Sequence, residues 1–414
     1  MIDNCQKLYK RYFCLPAMLA PVFSAYRNAY SGLSRSTWLL TLVMLINRSG
    51  TMVVPFMTLY LTSIGYTVGQ AGFVFGLFGL GAFSGAYFGG RLTDKIGFYP
   101  VQIITLTGGG ILFFVLGNMK SYPLICLFTY LLSFVNEAFR PANSTAIAFY
   151  SKEENRTRSY SLNRLAINIG WAVGSGMGGV LAKINYELLF WVDGATNIMA
   201  AIMIWLFLKP VNFKEEKTKS AESLPTSSAY RDKTYLLFII LTMFFASCFF
   251  QLFTNLPVFF KSELKFSEPL IGLLLASNGI IIAVIEMALI YKLEGRRKNL
   301  QYIATGVMLV SISFLMLNIP GIGPGVAFCM IFTVTAGEML AMPFMNSFWI
   351  SRTRQANRGQ YAALYTMAWS AAQTLGPIAG SQLAQNTSFT WLWFVAGGVS
   401  MLVSFFYSRL NKLA

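Results

Sequence analysis

Long apolar stretches separated by short polar breaks recur along the whole sequence. A helix needs roughly 20 largely apolar residues to cross a bilayer. That length and spacing predict twelve membrane-spanning helices, spans 1 to 12, near 37–61, 69–90, 100–119, 123–149, 159–182, 188–208, 234–260, 269–291, 300–319, 323–350, 359–385 and 390–408. The expected fold class is an all-α membrane protein. The long polar run KPVNFKEEKTKSAESLPTSSAYRDK divides the spans into two sets of six. The expected organisation is an N-terminal segment (1–36), a six-helix bundle (37–208), a linker (209–233), a second bundle (234–408) and a short tail (409–414).

The two sets repeat. Pro55 matches Pro257, Pro141 matches Pro343, Asn155 and Arg156 match Asn357 and Arg358, and Gly174 and Gly178 match Gly376 and Gly380, all at an offset of 202. A duplicated six-helix unit is the usual basis of a secondary transporter. With an even number of spans in each unit, the repeats are expected to be parallel and related by an axis along the membrane normal.

Composition agrees with the pattern. At 55% hydrophobic and 12% charged residues, with a mean hydropathy of +0.56, the chain is too apolar for a soluble globule. No cleaved signal peptide is read in the first 36 residues; a surface-lying amphipathic helix and a free tail both remain open. The net charge of +16 comes from basic residues gathered on one side of the spans, with only Lys120, Lys183, Lys261 and Lys265 on the other. By the positive-inside rule both termini lie in the cytoplasm, and the charge is a topology signal rather than a nucleic-acid footprint. The five cysteines lack CxxC spacing and histidine is absent. This removes the usual zinc ligands and any imidazole relay, so neither metal nor cofactor is expected and proton chemistry falls to carboxylates. No nucleophile–base–acid set points to an enzyme.

Charges inside spans are therefore the informative residues, because each costs roughly 2.5 to 3.5 kcal/mol on insertion scales and implies a partner, a wet cavity or a function. Arg48 and Glu338 fall near mid-membrane, Glu137 and Arg140 somewhat toward the cytoplasm, and Arg164 one turn into span 5. Glu137 and Arg140 share a helical face at i and i+3. Glu338 lies at offset 201 from Glu137, so the two carboxylates are expected to face each other across a central cavity with Arg48, Arg140 and Arg164 nearby. Desolvation favours a protonated carboxylate and a nearby arginine the ionised one, so a Glu in an alternately open and closed cavity can carry a proton. Glu338, with no basic residue nearby in its own helix, is the first choice. Glu137 is either a second carrier or the locked anion of an ion pair with Arg140 or Arg164. Asn47, Asn143, Gln251, Asn255, Asn278 and Asn346 are further expected cavity residues, with helix-to-helix hydrogen bonding as their alternative use. Asp193 and Glu286 are placed near span ends, in solvated or packing roles.

Four motifs carry a family resemblance. GGRLTDKIGFYP after span 2, with Gly90, Leu92, Asp94, Lys95 and Gly97 in place, resembles the G-x-L-x-D-R/K-x-G-R/K-R/K loop of the major facilitator superfamily. It departs from that pattern at Phe98 and Tyr99, and the second-half counterpart YKLEGRRKN is degenerate, with Glu294 in the acidic place. GWAVGSGMGG in span 5 resembles the superfamily's antiporter motif, with Ser175 replacing its proline, and it contributes Gly170, Gly174, Gly178 and Gly179. AGEMLAMP in span 10 is similar to a Gly-Glu-x-x-x-x-Pro pattern of several of its branches, drug antiporters and proton-coupled peptide transporters among them, and the E-x-x-R-P of LLSFVNEAFRPANSTAIAFY in span 4 is similar to a pattern of its multidrug-efflux-like members.

The resemblance implies a fold of two pseudo-symmetric six-helix halves and alternating access. It also implies a cytoplasmic gating loop (Gly90, Arg91, Asp94, Lys95, Gly97) in which Asp94 latches onto the start of span 11 near Arg358 and Gly359. The small-xxx-small glycines of span 5 allow a close helix approach. The function so implied is a proton-coupled efflux antiporter for amphipathic or cationic small molecules, a monomer in the bacterial inner membrane whose partners are its substrate, protons and lipid. The alternative is a proton-driven importer of peptides or another nutrient. It draws on the arginine-bearing span 1 and on Arg140-Pro141, and it lacks the E-x-x-E-R-F-x-Y-Y pattern.

Overall fold

The structure, a computed structural model, describes residues 32–152, 156–208, 210, 229–293, 295–352 and 358–413. Among the described residues there are fourteen α-helices and no strand. In chain order they are α1 (Arg35–Ser49), α2 (Val53–Ser63), α3 (Val68–Ile96), α4 (Phe98–Gly117), α5 (Tyr122–Tyr150), α6 (Arg156–Ile184) and α7 (Glu187–Phe207). They continue with α8 (Lys233–Phe249), α9 (Asn255–Ser262), α10 (Glu268–Leu293), α11 (Asn299–Met316), α12 (Pro324–Ser351), α13 (Arg358–Asn386) and α14 (Phe389–Leu413). Eleven stretches, counting α1 with α2 and α8 with α9, are long and apolar enough to cross a membrane among the described residues. The twelfth expected span forms α13, which carries a more polar face with Gln373, Ser381, Gln382 and Gln385.

Spans 1 and 7 are not the single helices that apolar length predicts. Span 1 breaks over Gly50 to Met52, and span 7 breaks through a 3-10 turn at Phe250–Leu252 followed by Phe253 and Thr254. Proline explains both places. Pro55 and Pro257 have no N–H for the carbonyl four residues earlier, so the helical ladder is already weakened there and a break costs less. Each sits instead in the first turn of the new helix, where N–H groups lack intrahelical partners anyway.

The loop after span 2 is also shorter than expected. α3 runs on to Ile96 and α4 starts at Phe98, so the connection is Gly97 alone, at φ +89°, a left-handed conformation that glycine adopts without penalty.

Helices pack in a ring of close pairs. α3 is held by two glycine faces: Gly69, Gly72, Gly76 and Gly79 meet α13, while Gly81, Gly85 and Gly89 meet α5. α6 meets α10 as closely, since a Cβ on Gly179 would lie 2.5 Å from the Glu268 carbonyl oxygen and 2.9 Å from the Gly272 Cα. Within the first six spans Gly170, Gly174 and Gly178 lie on α1 and α2, against Arg48, Ser49 and Met52. Around the outside, large apolar side chains such as Trp205, Phe332 and Leu402 stand exposed. Acyl chains are the medium that suits them, and the chain is a multi-pass membrane protein.

At the end away from Arg35 and Leu413, α2 packs on α9. There the Tyr186 hydroxyl donates to Glu268 Oε1 at 3.2 Å, and Lys261 pairs with the same oxygen at 2.8 Å. No comparable contact joins α5 to α12 at the other end among the described residues.

Candidate functional site

Between the first and last six spans lies a cavity of about 300 Å³. The break in span 1 and its neighbours supply a polar wall of Asn47, Arg48, Thr51, Asn136, Glu137, Asn168 and Asn197. The break in span 7 supplies Phe249, Phe250 and Phe253, and Trp171 meets Phe253 edge-to-face at 5.2 Å between ring centroids. Asn278 on α10, Glu338 on α12 and Gln373 on α13 complete the lining.

The charges on this lining are unequally partnered. Glu137 accepts from Arg140 Nη1 at 2.9 Å, and Pro141 leaves the Glu137 carbonyl without its helical donor. Arg48 feels the Glu137 charge but makes no hydrogen bond or ion pair among the described residues, and its buried Nε has no acceptor. Glu338 accepts one hydrogen bond, from Asn278 Nδ2 at 3.1 Å, and has no ion-pair partner among the described residues. Asn278 Nδ2 is also within 2.9 Å of Thr335 Oγ1, which fixes the amide beside the carboxyl.

Of the residues singled out in the sequence, Asn47, Arg48, Glu137, Asn278 and Glu338 line the cavity. The remaining ones lie outside its lining. Arg140 is paired with Glu137, its own side chain 67% exposed. Arg164 is ion-paired with Glu286 across the α6–α10 contact. Asn143 is buried in weak hydrogen bonds with Gln102 and Asn163, both 3.4 Å long. Asn346 accepts from the Trp349 indole at 3.2 Å on the surface of α12.

Gln251 and Asn255 serve the span 7 break. Gln251 Nε2 donates to the Gly376 carbonyl at 2.8 Å, Asn255 Nδ2 donates to Gln251 Oε1 at 2.6 Å, and the Ser381 hydroxyl donates to Asn255 Oδ1 at 3.1 Å. In the gating loop, Gly90 and Lys95 face open space, and the Arg91 guanidinium lies 4.4 Å from the centre of the Tyr87 ring. The side chains of Asp94 and Arg358, the two sides of the expected latch, lie outside the described residues, as does Glu294.

Two acids prove to be more than span-end residues. Asp193 is fully buried on α7, and its carboxylate accepts the Met52 N–H at 3.0 Å and the Val53 N–H at 2.9 Å, capping α2 at the break. The Asn47 amide donates to Asn197 Oδ1 at 3.0 Å, and Asn197 donates to the Asp193 carbonyl at 2.8 Å, so the same helix face ties down the turn that carries Arg48. Glu286 is buried and holds Arg164. A readable signal for Asp193 is its i,i+4 spacing with Asn197, which makes one polar face on an otherwise apolar span. The aromatic wall carries no comparable signal, because the whole span 7 region is rich in phenylalanine.

Outside the membrane, the start of α8 is held by an ionic cap. Asp232 Oδ1 accepts the Tyr235 N–H at 3.0 Å, its carboxylate takes Arg352 Nε and Nη2 at 3.0 Å each, and the Tyr361 hydroxyl donates to Oδ2 at 3.0 Å. Partial burial pushes this carboxyl up, but the hydrogen bonds from Arg352, Tyr235 and Tyr361 outweigh it and hold the group below the usual carboxylate range.

The family model of the Major Facilitator Superfamily matches residues 37–373. The Na(+), Li(+), K(+)/H(+) antiporter of Planococcus maritimus is 24% identical over 407 residues, covering 87% of this chain and 92% of that protein. The quinolone resistance protein NorA of Staphylococcus aureus is 23% identical over 337 residues, covering 80% of this chain and 85% of that one. Among solved structures, the nucleoside transporter NupG superposes with a TM-score of 0.75 at 14% identity, over 92% of this chain and 100% of that chain, a likeness of fold. With the helical architecture and the central cavity, the match over most of its length means that this chain belongs to the Major Facilitator Superfamily and is a membrane transporter rather than an enzyme.

Proposed function

We propose that this transporter is a proton-coupled efflux antiporter for amphipathic or cationic small molecules, working by alternating access in the bacterial inner membrane. The observation that carries the reading is Glu338, a cavity-lining carboxyl held by an amide and by no cation among the described residues. A carboxyl so placed exchanges its proton as the cavity opens to one side and then the other, because hydration stabilises the ionised form and closure withdraws it. Glu137, already paired with Arg140, acts as the fixed anion of the site.

The α2–α9 seal and the separation of α5 from α12 support a cavity open toward the side of Arg35 and Leu413. In this reading that side is cytoplasmic, the two six-span sets, 37–208 and 234–408, are pseudo-symmetric bodies, and the working unit is one chain. α6 with α10 and α3 with α13 are the seams on which the bodies rock, with the glycines of α6 permitting the approach. Asp94 latches the cytoplasmic side when the opposite end opens. The relatives named for cation/H(+) antiport and quinolone resistance support the exchange direction.

The test uses purified protein in liposomes containing a pH-sensitive dye, with an imposed pH gradient and a panel of cationic dyes, drugs and short peptides. Proton flux opposite to a compound, abolished in Glu338→Gln, is the expected result. Proton and peptide moving together would replace export with import.

A further inference from the structure

The cavity carries opposite charges on opposite walls, and both lack a full complement of partners. On the wall built by α1 and α5, the Glu137 carboxylate is already taken by Arg140 from outside the lining, and Arg48 is left with a buried Nε that has no acceptor. A buried donor without an acceptor is destabilising, and a ligand oxygen relieves it. On the wall built by α10 and α12, Glu338 retains free acceptor capacity beside Asn278. Between them stand the rings of Phe249, Phe250 and Phe253 and the Trp171 indole. Asn136 and Asn168, also on the lining, make no hydrogen bond among the described residues and can serve a polar ligand.

From this we infer that the preferred substrate is a zwitterion with an aromatic body, its carboxylate on Arg48 and its ammonium on Glu338. The inference rests on the reading of this cavity as the transport site and names the substrate class for it. It also gives the exchange a physical cause. An ammonium and a proton compete for the Glu338 carboxylate, so loading one expels the other, which is the requirement of antiport. A purely anionic substrate would do the reverse: protonating Glu338 removes negative charge from the cavity, and proton and anion would then bind together. The carboxylate contact at Arg48 adds affinity without entering that competition, and a guanidinium–carboxylate pair can be bidentate.

The test is a matched series on one scaffold: 4′-(aminomethyl)biphenyl-4-carboxylic acid as the zwitterion, its methyl ester as the cation and its N-acetyl derivative as the anion. Binding to the full chain in lipid nanodiscs is measured by calorimetry at neutral pH. The wild type is expected to bind the zwitterion about tenfold or more tighter than either derivative, the worth of one charge-assisted contact. Arg48→Gln should collapse the ratio of zwitterion to ester, Arg48→Lys should retain part of it, and Glu338→Gln should collapse the ratio of zwitterion to N-acetyl acid. Size-exclusion profiles identify any variant that has lost its fold, and the wild-type ratios decide the matter even then. Equal or tighter binding of the ester, ratios unmoved in the variants, or no saturable binding of the zwitterion overturns the inference. Proton flux in liposomes separates the two claims: if the ester drives it and the zwitterion is not preferred, the antiporter stands and the substrate class falls. If the zwitterion is preferred and no compound moves protons, the substrate class stands and the coupling falls.

Discussion

At the break in span 1, a carboxylate from another helix, Asp193, takes the N–H groups of Met52 and Val53. At the break in span 7 no side chain caps α9; a neutral relay ties the break to α13 instead, with Ser381 donating to Asn255, Asn255 to Gln251 and Gln251 to the Gly376 carbonyl. The ends that start these spans reverse the choice. α1 begins on a neutral cap, Ser34, which accepts the Thr37 N–H at 3.1 Å and donates to the Tyr150 carbonyl at 2.8 Å. α8 begins on the ionic cluster of Asp232 with Arg352.

The break regions therefore differ in what they deliver to the cavity. At the offset of 202 the counterpart of Arg48 is Phe250: one break brings a cation and the other an aromatic ring into the same space. A buried carboxyl behind the cationic break helps to fix the turn that bears Arg48, while the aromatic break is tied to α13 by neutral side chains.

The largest effect is expected at the span 1 break. Asp193→Ala leaves the Met52 and Val53 N–H groups buried without an acceptor, and the expected cost is about 3 kcal/mol, read as a large fall in the apparent Tm of purified protein. Asp193→Asn should recover part of the loss, because an amide oxygen still accepts.

Next is the ionic cap, whose contribution should depend on pH. Its folded-state carboxyl lies below the unfolded value of about 3.9, so its contribution is present above that pH and lost as pH falls through the folded value. Asp232→Asn should therefore lower Tm at neutral pH and converge with the wild type in acid, below about pH 4. A gap of constant size down to about pH 3 would contradict the ionic account.

Gln251→Leu should cost less than Asp193→Ala, about 1 to 2 kcal/mol, since Asn255 keeps its bond from Ser381. Ser34→Ala should be smallest, about 1 kcal/mol and independent of pH, the usual worth of a neutral N-cap. Equal losses at the two breaks would mean that a buried carboxyl and a neutral relay hold them equally well.

Much of this molecule is legible in its hydrophobic pattern. Apolar length locates the spans, and the cost of burying charge picks out Arg48, Glu137 and Glu338, which do line the cavity. The misses follow from what a one-dimensional pattern omits. The breaks in spans 1 and 7 are hidden because their residues are as apolar as their neighbours, although Pro55 and Pro257 mark them. Depth along a helix groups Arg164 with the cavity but does not reveal which way its side chain faces; it turns to Glu286 instead. Gln251 and Asn255 are polar because they tie the span 7 break to α13, a pairing that a one-dimensional pattern does not contain. Nearness to a span end suggests that Asp193 can reach water, whereas it faces inward to a helix N-terminus.

The central claim concerns Glu338, and the most direct measurement is proton movement in liposomes against a gradient of a cationic amphiphile, in the wild type and in Glu338→Gln. Protons moving opposite to the compound in the wild type, with uncoupled or absent movement in the variant, is the expected result. Undiminished exchange in a folded Glu338→Gln would contradict the account and move the coupling carboxyl elsewhere in the cavity.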